Sequence, residues 1–196
     1  MSPRTVEQYA QIRAEKRALI MDAAIEVFAD KTFQGASVSM IAQKAGISKG
    51  LLYNYFESKE QLLKEIVKTA ADKIYQFFDP NHDGILTIDE FFYFISKNIQ
   101  VVKENVNYWK LYSALVLQPS VMKLIEHDFD EFNMMYSRMV CVLFKKLGVE
   151  DAEGELLLLT SMMKGFIVQY VAMPDVYPID KFEKKIIEYY KQKFNM

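Results

Sequence analysis

Between Asp79 and Glu90 the sequence sets oxygen-bearing side chains at alternate places: Asp79, Asn81, Asp83, Thr87 and Glu90, with the carbonyl of Ile85 between them and Gly84 at the sharp turn. Hard divalent cations are held by such oxygen sets, so this spacing points to calcium chemistry, with Ca2+ a possible cofactor and none required elsewhere. Each residue also has a local task. Asp79 precedes Pro80, which drives it out of the helical region; "NHDG" is turn chemistry; Thr87 and Glu90 stand at capping-box spacing. Both readings stay open on spacing alone. Catalysis finds little support: the two histidines are His82, in a non-ligand place of the loop, and His127, in "EHDFDE", and no nucleophile motif or phosphate-binding glycine loop is present.

The elements that must position these residues read as helices throughout. Ile20, Ala23, Ala24, Val27 and Phe28 form one amphipathic stripe that stops at the "DKTFQG" break. Ser37 is placed to cap a second helix carrying Val38, Ile41, Ala42 and Ala45, and Gly46 follows where a left-handed stop is wanted. Ser48 caps a third helix running through Phe56. Ser58 and Gln61, at capping-box spacing, open a fourth whose stripe runs Leu63, Ile66, Val67, Ala70, Ile74, Phe77, Phe78. Two short helices joined by a glycine turn make a helix-turn-helix, in which the second helix can enter a major groove.

The run "ALIMDAAIEVFADKTFQGASVSMIAQKAGISKGLLYNYFESKEQL" resembles the DNA-binding domain of TetR-family transcriptional regulators, above all in "IAQKAGISKG", "LYNYF" and "SKEQL". The resemblance covers about residues 13 to 66. It implies a DNA-binding regulator, read as a repressor, that acts as a homodimer on a double-stranded operator. A small apolar or amphipathic effector would release it by tilting the fourth helix. Ser37, Tyr53, Tyr55 and Lys59 match the family's phosphate-contacting positions, Lys49, Gly50, Leu51 and Asn54 lie on the stretch facing base edges, and Ser48 is counted with them among the DNA-binding residues. Asn pairs with adenine, Lys reaches guanine or phosphate, and Gly lets the backbone approach closely. Leu51 departs from the threonine-like pattern, and could meet a thymine methyl or pack inward. Leu52 and Phe56 are assigned to the core; head packing is the other reading for Tyr53 and Tyr55. Residues 79–90 are similar to one EF-hand loop inserted between the fourth and fifth helices, without a second copy to pair with.

The whole chain is therefore expected to be all-α, about nine helices, with a three-helix helix-turn-helix head over residues 1–58 joined by a long helix to a helical effector-binding and dimerisation body over 59–196. Trp109, Tyr112, Met134, Met135, Met139, Met162, Met163 and Phe166 either line an adaptable pocket or form plain core. Leu156, Leu159, Met163, Phe166, Ile167 and Tyr170 on the eighth helix, with Ile186, Ile187, Tyr189 and Tyr190 on the ninth, are the dimer candidates. The eighth, "LLLLTSMMKGFIVQYVAM", is apolar all round, and Lys164 and Gln169 within it argue for burial between protein surfaces over a bilayer.

Charge gives weaker guidance. Residues 1–75 hold 11 Lys+Arg against 9 Asp+Glu, and residues 76–196 hold 13 against 17, a mildly basic head on an acidic body. The lone cysteine, Cys141, excludes an internal disulfide, and the N-terminal stretch shows no apolar run of signal-peptide length, so a cytoplasmic protein without membrane association is expected. The competing function is a calcium sensor or buffer without specific DNA binding. That alternative leaves "GISKGLLYNYF" without a purpose.

Overall fold

The structure, a computed structural model, describes residues 5–196; the side chains of residues 71, 73–75, 116, 120 and 126–132 lie outside that description, and with them Ile74 of the fourth stripe and His127. Its described residues form helices α1 (Val6–Gly35), α2 (Val38–Lys44), α3 (Lys49–Tyr53), α4 (Lys59–Phe78), α5 (Ile88–Glu104), α6 (Val106–Val116), α7 (Pro119–Lys146), α8 (Ala152–Ala172) and α9 (Ile179–Lys193), and no strand. The expected all-helical class and helix order hold.

Local chemistry accounts for most of the boundaries. Thr5 opens α1 with a reciprocal capping box to Gln8. Ser37 Oγ accepts from the Met40 amide at 3.2 Å and Ser48 Oγ from the Leu51 amide at 3.1 Å, so α2 and α3 each begin on a satisfied cap. Gly46 takes a φ of 65° between them, a conformation that a side chain would strain. α3 ends at Tyr53, one turn earlier than Ser48-to-Phe56 spacing suggests, although the Phe56 amide still reaches the Leu52 carbonyl at 3.0 Å.

The "DKTFQG" break is real and falls inside α1, where Thr32 adopts φ 62° and ψ 166°. That corner of backbone space suits glycine, and a β-branched residue held there stores on the order of 1–3 kcal/mol of strain. Thr32→Gly is therefore expected to raise the thermal midpoint, by up to about 1 kcal/mol of stability once the extra freedom glycine gains in the unfolded chain is deducted. Thermal melts of the two proteins under one set of conditions test this, and an unchanged or lower midpoint would contradict the strain argument.

Two apolar cores result. One unites Ile20, Ala24, Phe28, Ile41, Leu52 and Phe56 with Leu62, Leu63, Ile66 and Val67 of α4, and also with Leu111, Leu115, Val121 and Ile125 of α6 and α7. The other joins α5, α7, α8 and α9 around Phe91, Phe144, Phe166 and Tyr190. The cores therefore meet partway along α4, and the head core takes in residues beyond 58.

α8 is long and apolar enough to cross a bilayer by length and composition, yet here it packs on α6, α7 and α9 with Leu159, Phe166, Ile167 and Tyr170 buried. Its start is tied to the end of α9 by a buried carboxylate. Glu155 is only 5% exposed; it receives Lys193 Nζ at 2.5 Å and the Tyr189 hydroxyl at 3.2 Å. Glu155→Ala removes both partners' acceptor and should cost about 2–3 kcal/mol in a denaturant titration. Hydrogen bonding to Glu155 raises the Lys193 pKa above its ordinary value. A raised lysine pKa contributes stability that is fully present below the unfolded-state value and is lost as pH climbs through the folded-state value. The gap between wild type and Glu155→Ala should accordingly persist at neutral pH and narrow only in strongly alkaline buffer.

Candidate nucleic-acid interface

α3 is short, and its position depends on anchors either side of it. Leu52 and Phe56 point into the head core at 1% and 0% exposure, as expected from their spacing. The opposite surface is open: Lys49, Gly50, Leu51, Tyr53 and Asn54 are all exposed, with the capping residues Ser37 and Ser48 exposed beside them. Leu51, for which two readings were open, faces outward at 37% exposure. Lys49 Nζ lies 6.0 Å from the centre of the Tyr53 ring, so a flexible cation and an amphipathic ring share one edge of the helix. Nothing lies within 4 Å of where a Cβ on Gly50 would stand, so within the protein itself that position could carry a side chain.

Two arginines that spacing did not single out hold this helix from behind. Arg17 donates through Nη1 to the Tyr55 carbonyl at 2.8 Å and through Nε to Glu65 at 3.1 Å, and its Nη2 closes a second bond to the same carboxylate. Its guanidinium also sits 4.5 Å from the centre of the Phe56 ring. One turn earlier, Arg13 Nη2 reaches the Asn54 carbonyl at 3.3 Å and its guanidinium covers the half-buried Tyr55 ring at 5.1 Å. Cations at the C-terminal end of α3 satisfy carbonyls that the helix leaves without partners, and Arg17 joins α1, the end of α3 and α4 in one contact. The sequence offers only the i, i+4 spacing of the two arginines as a signal; their partners lie about forty or more residues away.

Lys59 behaves differently from the phosphate contact expected of it. Its Nζ donates to the Phe33 carbonyl at 2.7 Å and the Ala36 carbonyl at 3.0 Å, and it stands 4.5 Å from the Phe33 ring centre. The ammonium thus closes the end of α1 onto the start of α4, which leaves one of its donors for a phosphate.

The calcium ligand set is not assembled. Among the described residues no group of three or more His, Cys, Asp or Glu is placed to hold a metal ion. Within the loop, oxygens of Asp79, Asn81, Asp83 and Glu90 accept from its own backbone amides. Asp79, 2% exposed, accepts from the Asp83 amide at 3.2 Å and the Gly84 amide at 3.1 Å; Asp83 accepts from the Ile85 amide at 2.8 Å and from Asn81 Nδ2 at 3.0 Å. Glu90 turns back to Thr87, accepting from its amide at 2.9 Å and its hydroxyl at 2.7 Å in the capping box that starts α5. Of the two readings of the loop, turn plus capped helix is the one these bonds describe, and Ile85 carries an exposed side chain on that turn.

The residues read as either pocket or plain core are mostly packed, with Trp109 also lining a cavity beside α1 and α4. Trp109, Met139 and Phe166 are buried in the body core, with Tyr112, Met135 and Met162 packed against it, while Met134 projects into solvent. The dimer candidates need the same correction. Leu159, Ile167, Tyr170 and Tyr190 are buried inside their own protomer, and Leu156, Met163 and Ile187 pack against that core. The side of α8 left open carries Leu157, Leu158, Ser161, Lys164 and Val168 instead. An all-apolar helix has no periodic signal to say which side faces in, and Leu159, Ile167 and Tyr170 lie on the inward one.

Comparison with known proteins bears on the head and on the fold. Residues 20–66 match the family of bacterial regulatory proteins described as the tetR family. Over 115 residues the chain is 31% identical to the Staphylococcus epidermidis biofilm operon icaADBC HTH-type negative transcriptional regulator IcaR, a stretch that spans 58% of this chain and 61% of that regulator. Among solved structures, FadR from Bacillus subtilis in complex with stearoyl-CoA superposes with a TM-score of 0.70 at 21% identity, covering 87% of this chain and 95% of that one. A TerR/AcrR-family transcriptional regulator from Aquifex aeolicus VF5 gives 0.70 at 20% identity over 90% and 98% of the two chains. These likenesses establish a TetR-like fold, with its helix-turn-helix at the N-terminal end.

Proposed function

We propose that this chain, a tetR-type head on a tetR-like helical body, is a DNA-binding transcriptional repressor that works as a homodimer in the cytoplasm and is released from its operator by a small molecule. The observation that carries the reading is the outward face of α3. Lys49, Gly50, Leu51, Tyr53 and Asn54 are exposed together, while Leu52 and Phe56 fix the helix from beneath and Arg13 and Arg17 hold its end. A helix so presented fits a major groove, with Asn54 and Lys49 reading base edges and Ser37, Ser48, Tyr53 and Tyr55 meeting phosphates. The negative regulator from Staphylococcus epidermidis supports repression as the direction of control.

Dimerisation is assigned to the open side of α8, where Leu157, Leu158 and Val168 are 66%, 54% and 48% exposed. A second copy packing there would place two α3 helices at one spacing, and a two-fold protein calls for a site with two half-sites about one helical turn apart. The stearoyl-CoA complex of the Bacillus subtilis protein supports small-molecule control in a body of this shape.

The test is mobility of DNA fragments from the protein's own promoter region at several salt concentrations. Specific binding that weakens steeply with salt, and protection of two half-sites, is the expected result. Indifference to every fragment at low salt, by a protein shown to be folded, overturns the proposal. Gly50 adds a signed prediction. Gly50→Ala should stabilise the free protein by about 0.5–1 kcal/mol, because the site is helical and open. The same methyl group should weaken operator binding about tenfold if the backbone of α3 closes on the groove. Melts and mobility shifts on the one variant read both signs; equal operator affinity would place the groove elsewhere.

A further inference from the structure

A cavity of about 320 Å3 lies where α1, α4, the end of α5 and the start of α6 meet. It borders the body core, with which it shares Trp109. Its apolar wall includes Ile66, Phe77, Tyr108 and Trp109, and Asp22 of α1 and Glu104 of α5 are the acids that line it. A shallower depression joins it at the surface and adds Glu26 to the same two carboxylates. Glu26 is already engaged by Lys44 at 2.5 Å, whereas Asp22 has no ion pair among the described residues. No described basic residue lines either depression.

Trp109 supplies a second, independent observation. It is 5% exposed, it lines the cavity, and its indole N–H has no hydrogen-bond partner among the described residues. A buried donor without an acceptor is uncommon in a native protein and marks a place where a bound group could supply one.

We propose that this cavity binds a small amphipathic cation bearing an oxygen acceptor, its charge at Asp22 and Glu104, its body against Phe77, Tyr108 and Trp109, and its oxygen on the Trp109 N–H. Aromatic faces and carboxylates attract a weakly hydrated ammonium through the ring quadrupole and the opposite charge, and both repel an anion. The volume is at the lower end for small-molecule sites, so the ligand is compact and not a long acyl chain. The site borrows one wall from the head and the others from α4 and the body. A ligand that touches both would fix the angle at which the head is carried, a consequence that rests on the regulator reading above. Binding itself does not.

The protein has one tryptophan, so its emission reports directly on the cavity. The probe is choline phenyl ether, set beside its uncharged isostere 3,3-dimethylbutyl phenyl ether and the anion phenoxyacetate, each titrated into the full chain without DNA. Saturable change in Trp109 emission with the cation is expected, with the neutral ether at least about tenfold weaker and the anion without effect. Asp22→Asn combined with Glu104→Gln should lower cation affinity about tenfold or more and leave the neutral ether unchanged, since both carboxylates are exposed and their amides keep the shape. Circular dichroism checks that the variant keeps its helices, and the charge series on the unaltered protein stands whether it does or not. No saturation up to millimolar cation, equal binding of cation and neutral ether, or an unchanged cation affinity in the folded double variant overturns the proposal. Because no operator is present, failure here leaves the DNA-binding reading intact, and loss of operator binding leaves this one intact.

Discussion

Arg17→Ala should weaken operator binding by about 30-fold or more while the protein stays dimeric, although Arg17 lies behind the outward face of α3 that is proposed to meet DNA. The substitution removes a charged donor from the Tyr55 carbonyl, a cation from the face of Phe56 and both bonds to Glu65. Its side chain is 27% exposed and that of Glu65 33%, so the pair is partly shielded from water and the loss should be about 2–4 kcal/mol. The loss falls on the end of α3, a helix of five residues with little cohesion of its own. Arg17→Lys keeps the charge but not the planar fork, so it should fall between wild type and alanine. Mobility shifts with the operator, beside sedimentation to confirm the dimer, separate this from global unfolding. An alanine variant with full operator affinity would show that α3 is held by its own core residues alone.

A glutamate pair, Leu157→Glu with Val168→Glu, should convert the protein to a monomer of 22.9 kDa and abolish operator binding with the head still folded. Both positions are exposed in the single chain, so the substitution leaves no cavity and disturbs no core. Across a two-fold interface each acid would meet its counterpart's surroundings on an apolar face, and desolvating like charges costs several kcal/mol, enough to lower dimer affinity by about two orders of magnitude or more. Light scattering reads the mass, and the mobility shift reads the operator. The contrasting change, Tyr190→Glu, attacks a side chain at 0% exposure and should unfold the body instead. If the Leu157/Val168 variant remained dimeric, α8 would not be the contact surface.

The head was legible because its determinants are local. Ser37, Ser48 and Gly46 cap or stop helices within four residues of themselves, so their neighbours in sequence suffice to place them. The break at "DKTFQG" was legible for the same reason, though nothing in the string fixes Thr32 as the residue that takes the positive φ. Long-range partners were not. Lys59 suits a phosphate by its position at a helix start, and only the folded chain brings the Phe33 and Ala36 carbonyls to its ammonium. The loop at 79–90 shows how one string can satisfy two templates. Oxygens at alternate places suit a cation, and the same oxygens suit the amides of a tight turn, which they reach here. α8 is ambiguous for the opposite reason, an excess of signal, since apolar residues occupy both of its sides, Leu159 and Phe166 inward and Leu157, Leu158 and Val168 outward.

The intrusion of Leu111, Leu115, Val121 and Ile125 into the head core bears on how this protein could be re-engineered. A chimera that grafts residues 1–58 onto another protein's body would strip Phe28 and its neighbours of the α6 and α7 leucines, isoleucine and valine that finish their packing. A workable graft has to carry a matching α6–α7 corner along with the reading head, so operator preference and body identity are harder to shuffle independently than the chain's linear layout suggests.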